Sequence, residues 1–156
     1  MKTLVSEILK RKGSIVYTVN ENEVMFNAVK KMHDNRIGSL LVVNDDENLV
    51  GIITERDILY KCYQTESSMI TTTTKVKERM TSSEQLVVGK PDQTASNLMA
   101  VMTDRKIRHI PILDGDAIVG VVSIGDVLKG VVDARESETN LLREHIKNPF
   151  GVHIYK

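Results

Sequence analysis

Residues 51–57 read GIITERD and residues 120–126 read GVVSIGD. Each stretch is a glycine, two β-branched apolar residues, a hydroxyl residue, two variable positions and an aspartate. An aspartate three residues after a serine or threonine, just ahead of an apolar run, forms a capping-box-like helix start. Such a cap stabilises a helix by about 1 kcal/mol with nothing bound. The same carboxylate can also accept hydrogen bonds from a vicinal diol, while the hydroxyl can bond a sugar or a phosphate. The helix N-terminus behind them offers N–H groups and positive dipole to an anion. Gly51 and Gly120 would let the backbone approach a ligand closely. Capping and ligand binding are compatible, because one carboxylate can serve the cap until a diol arrives.

Other chemistries find less support. His33, His109, His145 and His153 do not have the spacing of a zinc site, so no metal is expected. Cys62, the single cysteine, lies in an apolar helical run without an identifiable base and reads as a small core residue. Ser123 follows Val121 and Val122 rather than standing in a G-x-S-x-G elbow. With no nucleophile–base pair and no metal-binding carboxylate cluster, the chain is expected not to be an enzyme. A cryptic nucleotide hydrolase is the disfavoured reading.

The paired stretches sit in a longer repeat. IGSLLVVND (37–45) lies over IRHIPILDG (107–115) at an offset of 70, and the offset becomes 69 at the two glycines. A period this long, occurring twice, indicates a duplicated domain rather than a solenoid. In each copy one apolar stripe has helical spacing, Val24, Ala28, Val29 and Met32 in the first and Ala95, Leu98, Met99 and Met102 in the second. Two short apolar runs follow, LLVV (40–43) with LVGII (49–53), and PIL (111–113) with AIVGVV (117–122). Asp114–Gly115 is a hairpin turn signal. A further helix starts at each aspartate. Opening strands are expected at SIVYTV (14–19) and EQLVVG (84–89), so the unit is strand–helix–strand–strand–helix. An N-terminal helix carries Leu4, Val5, Ile8 and Leu9 and stops at Lys10–Arg11–Lys12–Gly13. SETNLLREHI (137–146) reads as a separate short helix. The division is therefore 1–13 flanking helix, 14–65 first repeat, 66–79 connector taking in most of the polar, Thr-rich QTESSMITTTTK (64–75), 80–135 second repeat, and 136–156 C-terminal helix and tail.

Composition narrows the class. At 156 residues, 41% apolar and 27% charged, the chain is ample for a real core. Lys plus Arg and Asp plus Glu stand at 21 each, so no basic footprint points to nucleic acid. The N-terminal apolar run is too short for a signal peptide, no run approaches a membrane span, and one cysteine suits a reducing compartment. A cytoplasmic location without membrane partners is expected.

The tandem β-α-β-β-α plan, each copy ending in G-h-h-[ST]-x-x-D, closely resembles the cystathionine-β-synthase (CBS) domain pair, or Bateman module, over roughly residues 1–135. The resemblance implies an α+β fold with two repeats related by pseudo-twofold symmetry and short flanking helices at both termini. It is that of a small stand-alone bacterial protein with no catalytic or transport domain. It implies a regulatory, signal-transducing module that binds AMP, ADP, ATP, NAD or S-adenosylmethionine as a regulatory ligand, needs no cofactor, and signals to an unidentified regulated protein. Homodimerisation through the repeat helices is also implied, with Leu59, Tyr60, Val131 and Val132 as contacts. A module that only dimerises, with vestigial clefts, is the alternative.

In such modules each cleft combines both repeats. Aligned on this pattern, site A would use Ile52, Thr54, Arg56 and Asp57 with Val87, Ile107, Arg108 and His109. Site B would use Val121, Ser123, Gly125 and Asp126 with Lys12, Tyr17, Ile37, Gly38 and Ser39. Arg56, Arg108 and His109 are counted as cations, so site A is expected to favour the more phosphorylated ligand or to be the tighter one for AMP. In site B only Lys12 offers charge, and Ser39–Leu40–Leu41 replaces the His109–Ile110–Pro111 pattern.

Overall fold

The computed structural model describes residues 2–13, 15–63 and 73–147. The chain divides into two compact units, Ile15–Val88 and a second made of Met1–Ser14 with Gly89–Lys156.

The first unit is built on a four-stranded sheet in the order β1 (Thr18–Asn20), β2 (Ser39–Val43), β3 (Leu49–Thr54) and β4 (Thr81–Ser82). β1 runs parallel to β2, with helix α2 (Met25–Asn35) as the connection, and β2–β3 is the expected antiparallel hairpin. The helical stripe works as its spacing requires. Met25, Ala28 and Met32 are buried with Val19, Leu40, Val42, Ile53 and Val76 in one core, and Tyr17, Ile37 and Ile58 pack against it. Helix α3 (Glu55–Tyr63) leaves the end of β3 directly.

Part of the expected connector belongs to this unit. Val76 is fully buried in the core, Lys75 bridges to Val24, and the N–H groups of Val76 and Lys77 donate to the carbonyls of Glu23 and Glu21. The polar Thr-rich composition concealed an apolar anchor. The remainder of the connector, 66–72, lies outside the described residues, as does the side chain of Cys62.

The second unit holds helix α1 (Val5–Lys12), helix α4 (Ala95–Asp104), the hairpin β5 (His109–Asp114) with β6 (Ala117–Ser123), and helix α5 (Ile124–Lys147). Val5 and Ile8 are buried on α1, and Ala95, Leu98 and Met102 on α4. Gly13 ends α1 at φ +93°, with its N–H on the carbonyl of Leu9.

Two expectations fail here for identifiable reasons. The opening strand at 84–89 reduces to one parallel bridge, Gly89 to Ile112, after a 3-10 turn at Ser83–Gln85. Extending that ladder backwards needs an N–H at position 111, which is a proline. At the matching position of the first unit, Leu41 does donate, 3.1 Å to the carbonyl of Tyr17, and a strand forms. The separate C-terminal helix is absent, because α5 continues unbroken to Lys147. Thr139, at the start of that expected helix, turns its hydroxyl back to the carbonyl of Arg135 at 2.9 Å and so lies within a helix rather than opening one. Residues 148–156, with His153, are outside the described residues.

Candidate functional site

The hydroxyl–aspartate pairs stand where a strand hands over to a helix, Thr54 closing β3 and Ser123 closing β6. In the first unit, Asp57 Oδ2 accepts the Thr54 hydroxyl at 2.8 Å and the Thr54 N–H at 2.9 Å, and the Asp57 N–H donates back to Thr54 Oγ1 at 3.3 Å. The second unit repeats this: Asp126 Oδ2 accepts the Ser123 hydroxyl at 2.7 Å and N–H at 2.8 Å, and the Asp126 N–H reaches Ser123 Oγ at 3.2 Å. The cap is thus formed in both copies. Among the described residues every bond that these two carboxylates accept from the hydroxyl residue falls on Oδ2, which leaves Oδ1 of each aspartate as an acceptor for a ligand.

The first helical N–H is engaged as well. Glu55 N–H donates to the Gly38 carbonyl and Ile124 N–H to the Arg108 carbonyl, 3.1 and 2.8 Å. Two of the first three N–H groups of each helix therefore already have protein partners, which narrows the anion site expected there.

Antiparallel register decides which residues accompany each aspartate within a unit. Ser39 is the partner of Thr54, and His109 is the partner of Ser123. Gly38 and Ser39 therefore stand beside the Thr54–Asp57 start, and Arg108 and His109 beside the Ser123–Asp126 start. Each of the two expected groupings draws on both units. Ile52, Thr54, Arg56, Asp57 and Val87 belong to the first unit, but Ile107, Arg108 and His109 to the second. Likewise Lys12, Val121, Ser123, Gly125 and Asp126 belong to the second, and Tyr17, Ile37, Gly38 and Ser39 to the first. Ile52 is buried, while Tyr17, Ile37, Val87, Ile107 and Val121 are half-buried and Arg56, Arg108 and Gly125 exposed.

Electrostatics also departs from expectation. His109 is not a cation: burial, then the charges of Arg108 and Lys12, lower its pKa to about 4 against an opposing pull from Asp126. Lys12 is more than a helix-end charge. Its ammonium lies 2.7 Å from Asp126 Oδ2 and 3.0 Å from the Val121 carbonyl oxygen. Burial pushes Asp126 up, but the bonds from Lys12 and Ser123 outweigh it and hold the carboxyl below its ordinary range. The expected site B grouped Lys12 with Val121 and Asp126 through the family resemblance, while the Lys10–Arg11–Lys12 run by itself read as helix-dipole complementation.

The two motif glycines serve packing. A Cβ on Gly51 would collide with the carbonyl oxygen of Thr81 and come within 2.9 Å of Met80 Sδ. One on Gly120 would meet Leu9 Cδ2 at 2.5 Å. The close approach is thus made by β4 and α1 rather than by space reserved for a ligand.

Among the described residues no cluster of metal-ligating side chains occurs, and no helix is long and apolar enough to cross a membrane.

The CBS domain family model matches twice, over residues 5–63 and 76–133. CBS domain-containing protein CBSX3, mitochondrial, of Arabidopsis thaliana is 36% identical over 155 residues, covering 95% of this chain and 74% of that protein. The crystal structure of the CBS domain protein NE2398 superposes with a TM-score of 0.77 at 37% identity, covering 85% of this chain and 99% of that one. The CBS domain pair of MJ0100, solved in complex with 5'-methylthioadenosine and S-adenosyl-L-methionine, gives a TM-score of 0.70 at 25% identity, with 83% and 95% covered.

Proposed function

The chain belongs to the CBS-domain family as a tandem pair, a regulatory module, and from that premise we propose that it senses an adenosine-containing ligand without catalysing a reaction on it. The observation that carries this reading is the twofold hydroxyl–aspartate start with its protein bonds gathered on Oδ2, so that Oδ1 of Asp57 and of Asp126 can receive a ribose hydroxyl. The adenosine compounds held by MJ0100 support the ligand class. Candidates are AMP, ADP, ATP, NAD and S-adenosylmethionine.

Charge distinguishes the two aspartates. Lys12 and Arg108 both belong to the unit of Asp126, which supports a phosphorylated ligand at this aspartate. Arg108→Ala is expected to weaken ATP binding several-fold more than adenosine binding; equal losses, measured by calorimetry, would remove its phosphate role.

The ligand class itself is tested by thermal unfolding with each candidate. A ligand at 100 times its Kd should stabilise the chain by about 2.7 kcal/mol. No stabilisation by any of them at millimolar concentration would favour the second reading, a module whose main property is self-association. Leu59 and Tyr60 on α3, 72% and 70% exposed, give that reading its support, together with exposed Leu128 and Val132 on α5. Val131, expected among the contacts, is half-buried.

A further inference from the structure

Asp57 and Asp126 occupy the same place in their repeats but not the same chemical state. Oδ2 of Asp57 receives two donors, both from Thr54. Oδ2 of Asp126 receives three, because the ammonium of Lys12 joins the two donors from Ser123. The ammonium also takes the carbonyl of Val121 on β6, so it bridges a carboxylate and a backbone acceptor, as a donor-bearing ligand would. Lys12 is the last residue of α1, and Gly13 ends the helix immediately after it. The side chains are 39% and 25% exposed, so the pair lies at the surface, open to exchange with an incoming molecule.

We infer that Lys12 is a built-in competitor for the Asp126 carboxylate: Oδ1 can take one hydroxyl of a vicinal diol, but the second needs Oδ2, where the ammonium sits, so Lys12 sets ligand affinity and selectivity by having to be displaced. The inference rests on the reading of Asp126 as a ligand acceptor. A neutral diol that approaches Asp126 meets a carboxylate already neutralised by an ammonium, and pushing that ammonium away returns nothing to it. A ligand bearing phosphate offers the displaced ammonium a new partner, so the exchange costs less. Lys12 therefore discriminates against uncharged adenosine relative to its phosphates. Asp57, which lacks such a partner among the described residues, exerts no discrimination of this kind. The displaced side chain also gives up the tie between the end of α1 and β6, which makes the last turn of α1 the element that responds to occupancy.

The test is calorimetric titration of the full chain with adenosine and with AMP, on wild type, Lys12→Met and Asp126→Ala. Methionine keeps the length of the stem and removes the ammonium. Lys12→Met is expected to bind adenosine about fivefold tighter than wild type, the size of a partly exposed ion pair. The preference for AMP over adenosine should shrink by a comparable factor or more, and adding Asp126→Ala to Lys12→Met should abolish the gain. Binding through Asp126 that Lys12→Met leaves unchanged, or weakens for both ligands alike, would overturn the inference while leaving the site intact. Absence of adenosine and AMP binding in every chain would overturn the site reading, and this inference with it.

Discussion

Acidification from pH 6.5 to 4 is expected to remove up to about 3 kcal/mol of stability from the second unit through His109 alone. The unfolded chain takes up a proton on this histidine near pH 6.5, whereas the folded chain does so near pH 4. Between those values the unfolded state binds the extra proton, so stability is complete above pH 6.5 and declines as the pH falls. Burial is the largest cause. Arg108, next to it on the chain, and Lys12, from the end of α1, add positive charge, and Asp126, from the start of α5, opposes them. Denaturant titrations at half-unit pH steps on wild type and His109→Gln check this. The wild type should lose stability by up to about 1.4 kcal/mol per pH unit within the window, and His109→Gln should flatten that slope between pH 6.5 and 5. The same slope in both proteins would show that His109 is not held neutral.

Gly51→Ala is expected to cost about 3 kcal/mol or more, against less than half of that for Gly120→Ala. The two glycines are equivalent in the motif, but their surroundings differ in what can yield. At position 51 the new methyl would drive into the Thr81 carbonyl of β4, which is backbone held in the ladder Gly51–Ser82 and Ile52–Thr81. At position 120 it would meet the methyl end of Leu9, which can change rotamer. Urea midpoints of the two variants decide the matter; equal losses would mean that α1 is as rigid against β6 as β4 is against β3.

The parts of this fold that were legible beforehand are those in which one local rule acts alone. Met25, Ala28 and Met32 recur at helical spacing because one face of α2 must be buried, and the same holds for Ala95, Leu98 and Met102. The apolar runs at 40–43 and 49–53 and at 111–113 and 117–122 became hairpins, and Gly115 adopts φ +60° in the second turn. Thr54 and Asp57, and Ser123 and Asp126, read correctly as helix starts because the capping bonds reach only three residues.

What escaped depends on distance along the chain. Val76 looked like part of a polar connector because its burial is decided by a core that reaches from Ile53 back to Val19, far upstream. The shortened opening strand of the second repeat follows from Pro111, visible in the sequence but informative only once Gly89 is known to lie beside it. His109 was counted as a cation because its burial, the largest cause of its lowered pKa, is set by tertiary packing, as is the nearness of Lys12, far off in sequence. Lys12 and Asp126, 114 residues apart, entered one expected grouping only through the family resemblance, and their direct ion pair was not anticipated. Register, which pairs His109 with Ser123 and Ser39 with Thr54, settled which groups share a unit.

The most direct test of the account is a calorimetric titration with AMP of wild type, Asp57→Ala and Asp126→Ala. Each substitution also removes a cap worth about 1 kcal/mol, so circular dichroism first establishes that the variants are folded. The account predicts saturable binding to the wild type, with each alanine weakening its own site by about tenfold or more, the loss of a charge-assisted hydrogen bond. AMP binding of unchanged affinity and stoichiometry in both variants would contradict it, and would leave Asp57 and Asp126 as helix caps alone.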